Sequence, residues 1–226
     1  MNKLYTIIVA GGSGLRMQTS VPKQFLLLNG LPVLMHTINR FYKIDKQQTI
    51  VLVLPAEHSD YWSKLCQEYN FITPHIVTNG GKTRFESVKN GLSLVSQESI
   101  VAIHDGVRPL VSAKTILLCK KKALELGNAI PVIDMDESVR MITEQGSVSV
   151  ERNRYKKVQT PQVFKSNVII EAYKQDYSPL FTDDASVVEN MGVEINLVEG
   201  NKENIKITHS SDLLIASELI KQMVDI

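Results

Sequence analysis

Along the first half of the chain, short runs of consecutive apolar residues alternate with stretches whose apolar positions recur every three or four residues. Ile50-Val51-Leu52-Val53-Leu54 contains no polar position. Such a run has no solvent face, so it predicts a strand buried on both sides, as in a parallel sheet covered by helices. Runs of this kind predict strands over 4–10, 49–55, 75–78 and 100–104. Helical spacing predicts helices over 32–43, 57–69, 83–95 and 113–126. The alternation points to an α/β fold, Rossmann-like, with a mostly parallel sheet flanked by helices. From 128 to about 164 the pattern turns β-rich, with Ser138-Val139-Arg140-Met141-Ile142, a Gln145-Gly146 turn and Val148-Ser149-Val150. This predicts a protruding hairpin arm, at about 134–157, inserted in one domain spanning 1–226. A hairpin alone is marginal, so it should pack on the body or on a second subunit, and dimerisation is expected. Beyond it, helices are predicted over 166–175, 183–191 with Thr182 as N-cap, and 212–223, and strands over 194–199 and 204–207.

In such sheets ligands bind at the carboxyl ends of the strands, and chemistry-bearing residues cluster there. The 4–10 strand leads into Ala10-Gly11-Gly12-Ser13-Gly14-Leu15-Arg16-Met17, with Lys23 six residues further on. Glycines let backbone N–H groups approach a ligand where a Cβ would intrude, and Arg16 and Lys23 add charge beside them. No Asp or Glu precedes Asp45, whereas Lys3, Arg16, Lys23, Arg40 and Lys43 all do, so the opening segment suits a polyanion. Met17 stands where a dinucleotide fingerprint needs glycine, and no Gly-Lys-Ser/Thr closes a Walker loop. A triphosphate cradle is preferred to a ligand-free turn. Arg can grip two phosphate oxygens, while Lys supplies a compact charge near a reacting phosphorus.

Two further loops, Asn79-Gly80-Gly81 and His104-Asp105-Gly106, converge on the same crevice. Asp105 could hold a hard cation such as Mg²⁺ or contact substrate; the plainer alternative is a turn pair with Arg108. For His104 the alternative is a packed histidine. Thr182 and the acids after it read first as a helix start, without excluding a ligand contact. Lys206 falls on one face of its strand, and the basic cluster at 151–157 either faces solvent or completes a neighbour's anionic site.

Composition narrows the partners. Lysines and arginines number 25 against 24 acids, which indicates neither a nucleic acid nor a membrane surface. Cys66 and Cys119 lack metal-ligand spacing and read as free thiols of a reducing compartment. Glycines 11 and 12 interrupt the apolar start, and no run reaches 18 apolar residues. A cytoplasmic protein is expected.

Taken together the motifs resemble the 2-C-methyl-D-erythritol 4-phosphate cytidylyltransferases, which use CTP in the non-mevalonate isoprenoid route. The blocks are the 10–17 loop, Pro22-Lys23-Gln24, Gly80-Gly81 with Arg84 and Ser87, His104-Asp105 with Arg108-Pro109, Thr160-Pro161-Gln162, Thr182-Asp183 and Asn204-Ile205-Lys206-Ile207-Thr208. The resemblance implies that Ala10, Gly11, Gly12, Gly14, Gly81, Lys82, Ser87 and Asp105 bind the nucleotide, with Arg16 and Lys23 on the triphosphate. It implies that Asp105, Arg108, Ser138, Arg152, Thr160, Thr182 and Lys206 face the sugar-alcohol phosphate or the metal, Asp105 being the metal candidate. Catalysis would fall to Arg16, Lys23, Arg152 and Lys206, with Mg²⁺ or another divalent cation. The arm would swap into a homodimer, carrying Ser138 and Arg152 to the neighbouring site. Departures from the family pattern are Gly11 for alanine, Gly106-Val107 for two small residues, Lys82 for a frequent acid and Ser138 for threonine. Ribitol-5-phosphate cytidylyltransferases share the glycine loop, Pro-Lys-Gln and the Asp-x-Val-Arg-Pro block. Thr182-Asp183-Asp184-Ala185-Ser186 fits the methylerythritol enzymes better. A catalytically silent relative would be expected to lack Lys23 or Asp105, and both are present.

Overall fold

Consecutive strand residues send their side chains to opposite faces of one sheet, and both faces are covered by helices. The structure is a computed structural model describing residues 3–12 and 21–222. The chain begins with β1 (Leu4–Val9), the short pair β2 (Leu27–Leu28) and β3 (Leu31–Pro32), and α1 (Val33–Ile44). It continues with β4 (Thr49–Leu54), α2 (Ser59–Glu68), β5 (Ile76–Asn79), α3 (Arg84–Leu92), β6 (Ile100–Asp105) and α4 (Ala113–Leu126). Then come β7 (Asn128–Asp134), β8 (Arg140–Thr143), β9 (Gly146–Ser149), β10 (Lys156–Val158), β11 (Gln162–Lys165), α5 (Ser166–Ala172), α6 (Asp184–Glu189), β12 (Leu197–Glu199) and α7 (Ser210–Gln222).

Ile50, Leu52 and Leu54 pack with Leu34, Ile38 and Phe41 of α1 and Trp62 of α2. Their neighbours Val51 and Val53 pack on the other face with Phe85 and Val88 of α3, Ile169 of α5 and Val187 of α6. The polar-free run is thus a strand buried on both sides, as its composition requires. β1 pairs in parallel with β4 and β6, and β4 with β5. β11 runs antiparallel between β6 and β7, and β12 is parallel to β7. The sheet is therefore mostly parallel, with two reversed strands, β11 within it and β10 at its edge beside β7.

The arm expected at about 134–157 has its base where Lys156 pairs with Asp134, with β8 paired to β9 beyond, while β7 and β11 on either side of it belong to the main sheet. Three expectations need correction. The segment 204–207 is extended but pairs with no strand among the described residues. Its Ile207 packs beside Val107 and Leu110 and donates a single backbone bond to the Val107 carbonyl at 3.0 Å, and Arg108 donates to the Asn204 carbonyl at 2.8 Å. α6 is capped by Asp183, not Thr182: Asp183 Oδ1 accepts from Ser186 N at 2.9 Å, and Ser186 Oγ accepts from Asp183 N at 3.2 Å. Finally, the 57–69 helix opens with a 3-10 turn over Ala56–His58.

Candidate functional site

Going from β1, the chain adds β4 and β5 on one side and then crosses to add β6 on the other, so the strand order reverses between β1 and β6. At such a switch point the loops leaving the two strands diverge and open a crevice. Gly106 draws the two strand ends together: a Cβ there would lie 2.9 Å from Ala10 Cβ and 3.0 Å from Leu34 Cδ1. Asp105 and the 10–12 turn consequently face one space.

A cleft of about 290 Å³ occupies it, lined by Ala10, Gly11, Gly12, Lys23, Gly81, Lys82, Ser87, Asp105 and Lys206 among others. Lys23 lies at the start of a 3-10 turn and is only 9 % exposed. Its Cε would sit 3.2 Å from a Cβ on Gly12, so the bare glycine backbone is what lets the lysine lie across the turn. Gln24 Nε2 donates to the Ala10 carbonyl at 2.9 Å and pins the turn from below. On the opposite wall, Ser87 Oγ accepts from Gly81 N at 3.1 Å and donates to the Thr83 carbonyl at 2.9 Å. Thr83 caps α3, and Glu86 Oε2 accepts from Lys82 N at 2.5 Å. A Cβ on Gly81 would come within 2.3 Å of Glu86 Cβ, so this wall requires glycine.

Asp105 is the electrostatic centre. Lys206 Nζ lies 3.0 Å and Arg108 Nε 3.2 Å from Oδ2, and Arg84 Nε lies 3.8 Å from Oδ1. Burial would raise the carboxyl's pKa, but Arg84, Lys206 and Arg108 outweigh it and hold the group well below the usual carboxylate range. Beside it, His104 is fully buried and edge-on to Phe41. Its Nε2–H donates to the Arg108 carbonyl at 3.0 Å, so Nδ1 accepts from Thr160 Oγ1 at 2.9 Å, and Thr160 Oγ1 accepts from Asp105 N at 3.1 Å. Burial lowers the His104 pKa to about 4, so the ring is neutral at physiological pH. It is a packed histidine that orients its neighbours.

A second cavity of about 290 Å³ adjoins the first, lined by Arg84, Asp105, Arg108, Thr160, Thr182, Asp183 and Lys206, with Val158, Gln159 and Gln162. Arg84, Asp105 and Lys206 form the wall common to both. Thr182 is exposed at its rim, and the α6 cap does not use its hydroxyl. The structure therefore brings Ala10, Gly11, Gly12, Lys23, Gly81, Lys82, Ser87, Asp105, Arg108, Thr160, Thr182 and Lys206 to one pair of clefts. Ser138 and Arg152 are on the exposed arm and line neither cleft; Arg152 Nη1 donates to the Asp136 carbonyl at 2.8 Å. Gly14 and Arg16 lie outside the described residues. Among the described residues, no three His, Cys, Asp or Glu side chains converge to hold a metal ion. Asp105 offers one carboxylate, which fits the mode in which Mg²⁺ takes one or two carboxylates and draws its other ligands from substrate phosphates and water.

Sequence reasoning missed the work done by buried polar side chains. Asp184 looked like a dipole-complementing acid, but it is fully buried under Arg84. Gln162 bridges β11 to α6, accepting from Ala185 N and donating to Asp183. Asn204 Nδ2 donates to the Thr160 carbonyl at 2.8 Å. An arginine three residues after a Gly-Gly pair at a strand end was the signal available for Arg84.

A parallel sheet with a glycine turn, lysines and a charged carboxylate at its switch point defines an α/β nucleotidyltransferase. The family model described as "IspD: 2-C-methyl-D-erythritol 4-phosphate cytidylyltransferase" matches residues 4–222, and the chain belongs to that family. It is 55 % identical, over 95 % of its length and 98 % of the relative's, to the 2-C-methyl-D-erythritol 4-phosphate cytidylyltransferase of Bacteroides fragilis. A relative of that name from Porphyromonas gingivalis is 52 % identical over 96 % of this chain and 98 % of its own. The crystal structure of the Francisella tularensis enzyme of that name superposes with a TM-score of 0.79 at 30 % identity, covering 96 % of this chain and 99 % of that one. The 4-diphosphocytidyl-2C-methyl-D-erythritol synthase of Anaerococcus prevotii gives 0.82 at 25 % identity, over 97 % and 96 %.

Proposed function

We propose that this protein transfers the cytidylyl group of CTP to 2-C-methyl-D-erythritol 4-phosphate, forming 4-diphosphocytidyl-2-C-methyl-D-erythritol and pyrophosphate in isoprenoid precursor biosynthesis. The observation that carries the reading is the shared wall: two adjoining clefts of equal size meet at Asp105, Arg84 and Lys206. The cleft on the glycine-turn side takes the nucleotide. Gly81, Lys82 and Ser87 face the base side, and Lys23 faces the triphosphate. The other cleft takes the acceptor, with Arg108, Thr160 and Thr182 around its phosphate and hydroxyls. An acceptor phosphate oxygen forms a bond to the α-phosphorus of CTP as the bond to the bridging oxygen breaks, and that electron pair leaves with pyrophosphate. The nucleophile is already anionic, so the site needs no general base. What it must supply is alignment and charge stabilisation. Lys206 stands at the junction and, leaving Asp105, can follow the charge developing on the α-phosphate; Lys23 and Arg16 act on the phosphates beyond it. Mg²⁺ or another divalent cation, when bound with the triphosphate, supplies further charge neutralisation, and Asp105 is the residue that would hold it.

The same reading makes 1–226 one domain, with Ser138 and Arg152 carried by the 134–157 arm to a partner's acceptor cleft in a homodimer. Exposed apolar side chains on the arm, Met141 at 51 % and Ile142 at 80 %, support it. Free Cys66 and Cys119 support a cytoplasmic setting, and no helix among the described residues is long and apolar enough to cross a membrane. The test is pyrophosphate release from CTP and Mg²⁺ with either methylerythritol phosphate or ribitol 5-phosphate. Release with the first substrate alone is expected. Release with ribitol phosphate alone reassigns the acceptor, and release with neither overturns the transfer reading.

A further inference from the structure

Arg84 belongs to both clefts, and its geometry ties them together. It opens α3 directly after the 80–83 loop of the nucleotide side, whereas Asp184 opens α6 directly after Thr182 and Asp183 of the acceptor side. Two hydrogen bonds join them across 100 residues of chain: Arg84 Nη1 to Asp184 Oδ1 at 2.9 Å and Nη2 to Oδ2 at 2.7 Å. Asp184 is fully buried, and its Oδ1 also accepts from the Tyr173 hydroxyl at 2.6 Å. Burial and the charge of Asp184 push the Tyr173 phenol well above its usual pKa, so it stays a donor. The same guanidinium places Nε 3.8 Å from Asp105 Oδ1. Burying an ion pair is a poor route to stability, since apolar replacements often do as well or better. What a two-pronged Arg–carboxylate bond supplies that apolar packing does not is a fixed relative orientation of the two backbones it joins.

We propose that Arg84 is a positioning residue for the transfer reaction: braced by Asp184, it fixes the acceptor-side 182–183 segment relative to the nucleotide loop and steadies Asp105 between them. This rests on the cytidylyl-transfer reading above. A misplacement of about 1 Å between reacting groups can cost roughly 10²-fold in rate, so the brace has a kinetic consequence beyond its contribution to folding.

The test compares wild type, Arg84→Lys, Asp184→Asn and the double variant. Arg84→Lys keeps a cation near Asp105 but replaces the planar fork with a point charge. CTP affinity is measured by calorimetry without acceptor, and kcat and KM by pyrophosphate release. The proposal expects CTP affinity within about threefold of wild type while kcat falls roughly 10- to 100-fold. The double variant should be no worse than the poorer single variant within about twofold, because both remove the same link. A lowered Tm with unchanged kcat overturns it, since the pair would then be structural only. CTP affinity falling as much as kcat also overturns it, since Arg84 would then act on the nucleotide itself. Losses that multiply in the double variant do the same. Should Asp184→Asn fail to fold, Arg84→Lys decides through kcat against CTP affinity. Wild-type protein releasing no pyrophosphate overturns the transfer reading and this one with it; active wild type with unaffected variants overturns this one alone.

Discussion

Replacing Lys206 with alanine separates what a charge does for the fold from what it does for the reaction. The side chain is 45 % exposed, and in the free protein its ammonium pairs with Asp105 at 3.0 Å. A half-exposed pair of this kind contributes about 0–1 kcal/mol to stability. Arg108 and Arg84 remain beside Asp105 in the variant, so the carboxylate is not left uncompensated. For a chain of 226 residues, 1 kcal/mol shifts Tm by roughly 2–4 °C, and the expected change is no larger. In the proposed transfer the same ammonium faces the charge developing in the transition state at the junction of the two clefts. Losing one such donor costs about 10²- to 10³-fold in kcat, or roughly 3–4 kcal/mol. The assay pairs a thermal melt with steady-state pyrophosphate release at saturating CTP and acceptor. A variant that melts 10 °C lower but, where folded, turns over at the wild-type rate would refute the reasoning.

Lys23→Ala, which removes the cation lying across Gly12, is expected to lower kcat by at least about 10²-fold with little change in Tm; near-normal turnover contradicts its placement on the triphosphate. In Gly81→Ala the new Cβ starts 2.3 Å from Glu86 Cβ and must retreat by about 1 Å to ordinary contact, displacing the N–H groups of 81 and 82. CTP affinity measured by calorimetry should fall by roughly 10-fold or more, and unchanged affinity would show that this wall does not bind nucleotide. Stability should drop on acidification: burial lowers the His104 pKa to about 4 from the ordinary 6.5, so the unfolded chain binds more protons between those values. That contribution is complete above pH 6.5 and is lost as pH falls towards 4, by on the order of 3 kcal/mol. Half-buried His36 and His75 shift in the same direction, and Asp105 extends the loss below its ordinary range. Urea unfolding at pH 7.5, 5.5 and 4.5 checks this, and a flat or rising midpoint on acidification would contradict it.

Much of this site was legible because it rests on backbone. Ala10, Gly11, Gly12 and Gly81 announce themselves as a strand end followed by residues without room for a side chain, and Asp105 follows an apolar run that could only be a central strand. Lys23 and Lys206 were harder, since an isolated lysine carries no spacing signal, and the resemblance rather than periodicity singled out Lys206. The 204–207 segment misled because Ile205 and Ile207 alternate with polar residues as in a strand, while the segment is held by one backbone bond to Val107 and by the Arg108 side chain instead of a ladder. Asp184 was illegible for the opposite reason. A first-turn acid is common on solvated helices, and only its partner, 100 residues away, marks it as buried. Thr182 and Asp183 exchanged roles because either side chain can cap, and only the reciprocal bond with Ser186 decides between them.

The cluster around Asp105 also says something about the order in which the molecule can become active. Its cations come from residues 84, 108 and 206, and the Thr160 carbonyl is held by Asn204. Strands β1, β4, β5 and β6 all come from the first 105 residues, but the junction between the two clefts lacks its lysine until the segment near 206 has been made and docked against Val107. A chain emerging from the ribosome therefore contains the 10–12 and 81–87 sides of the first cleft well before Lys206 exists to complete it, and closing the 100-residue span from Asp105 to Lys206 is a late, non-local step.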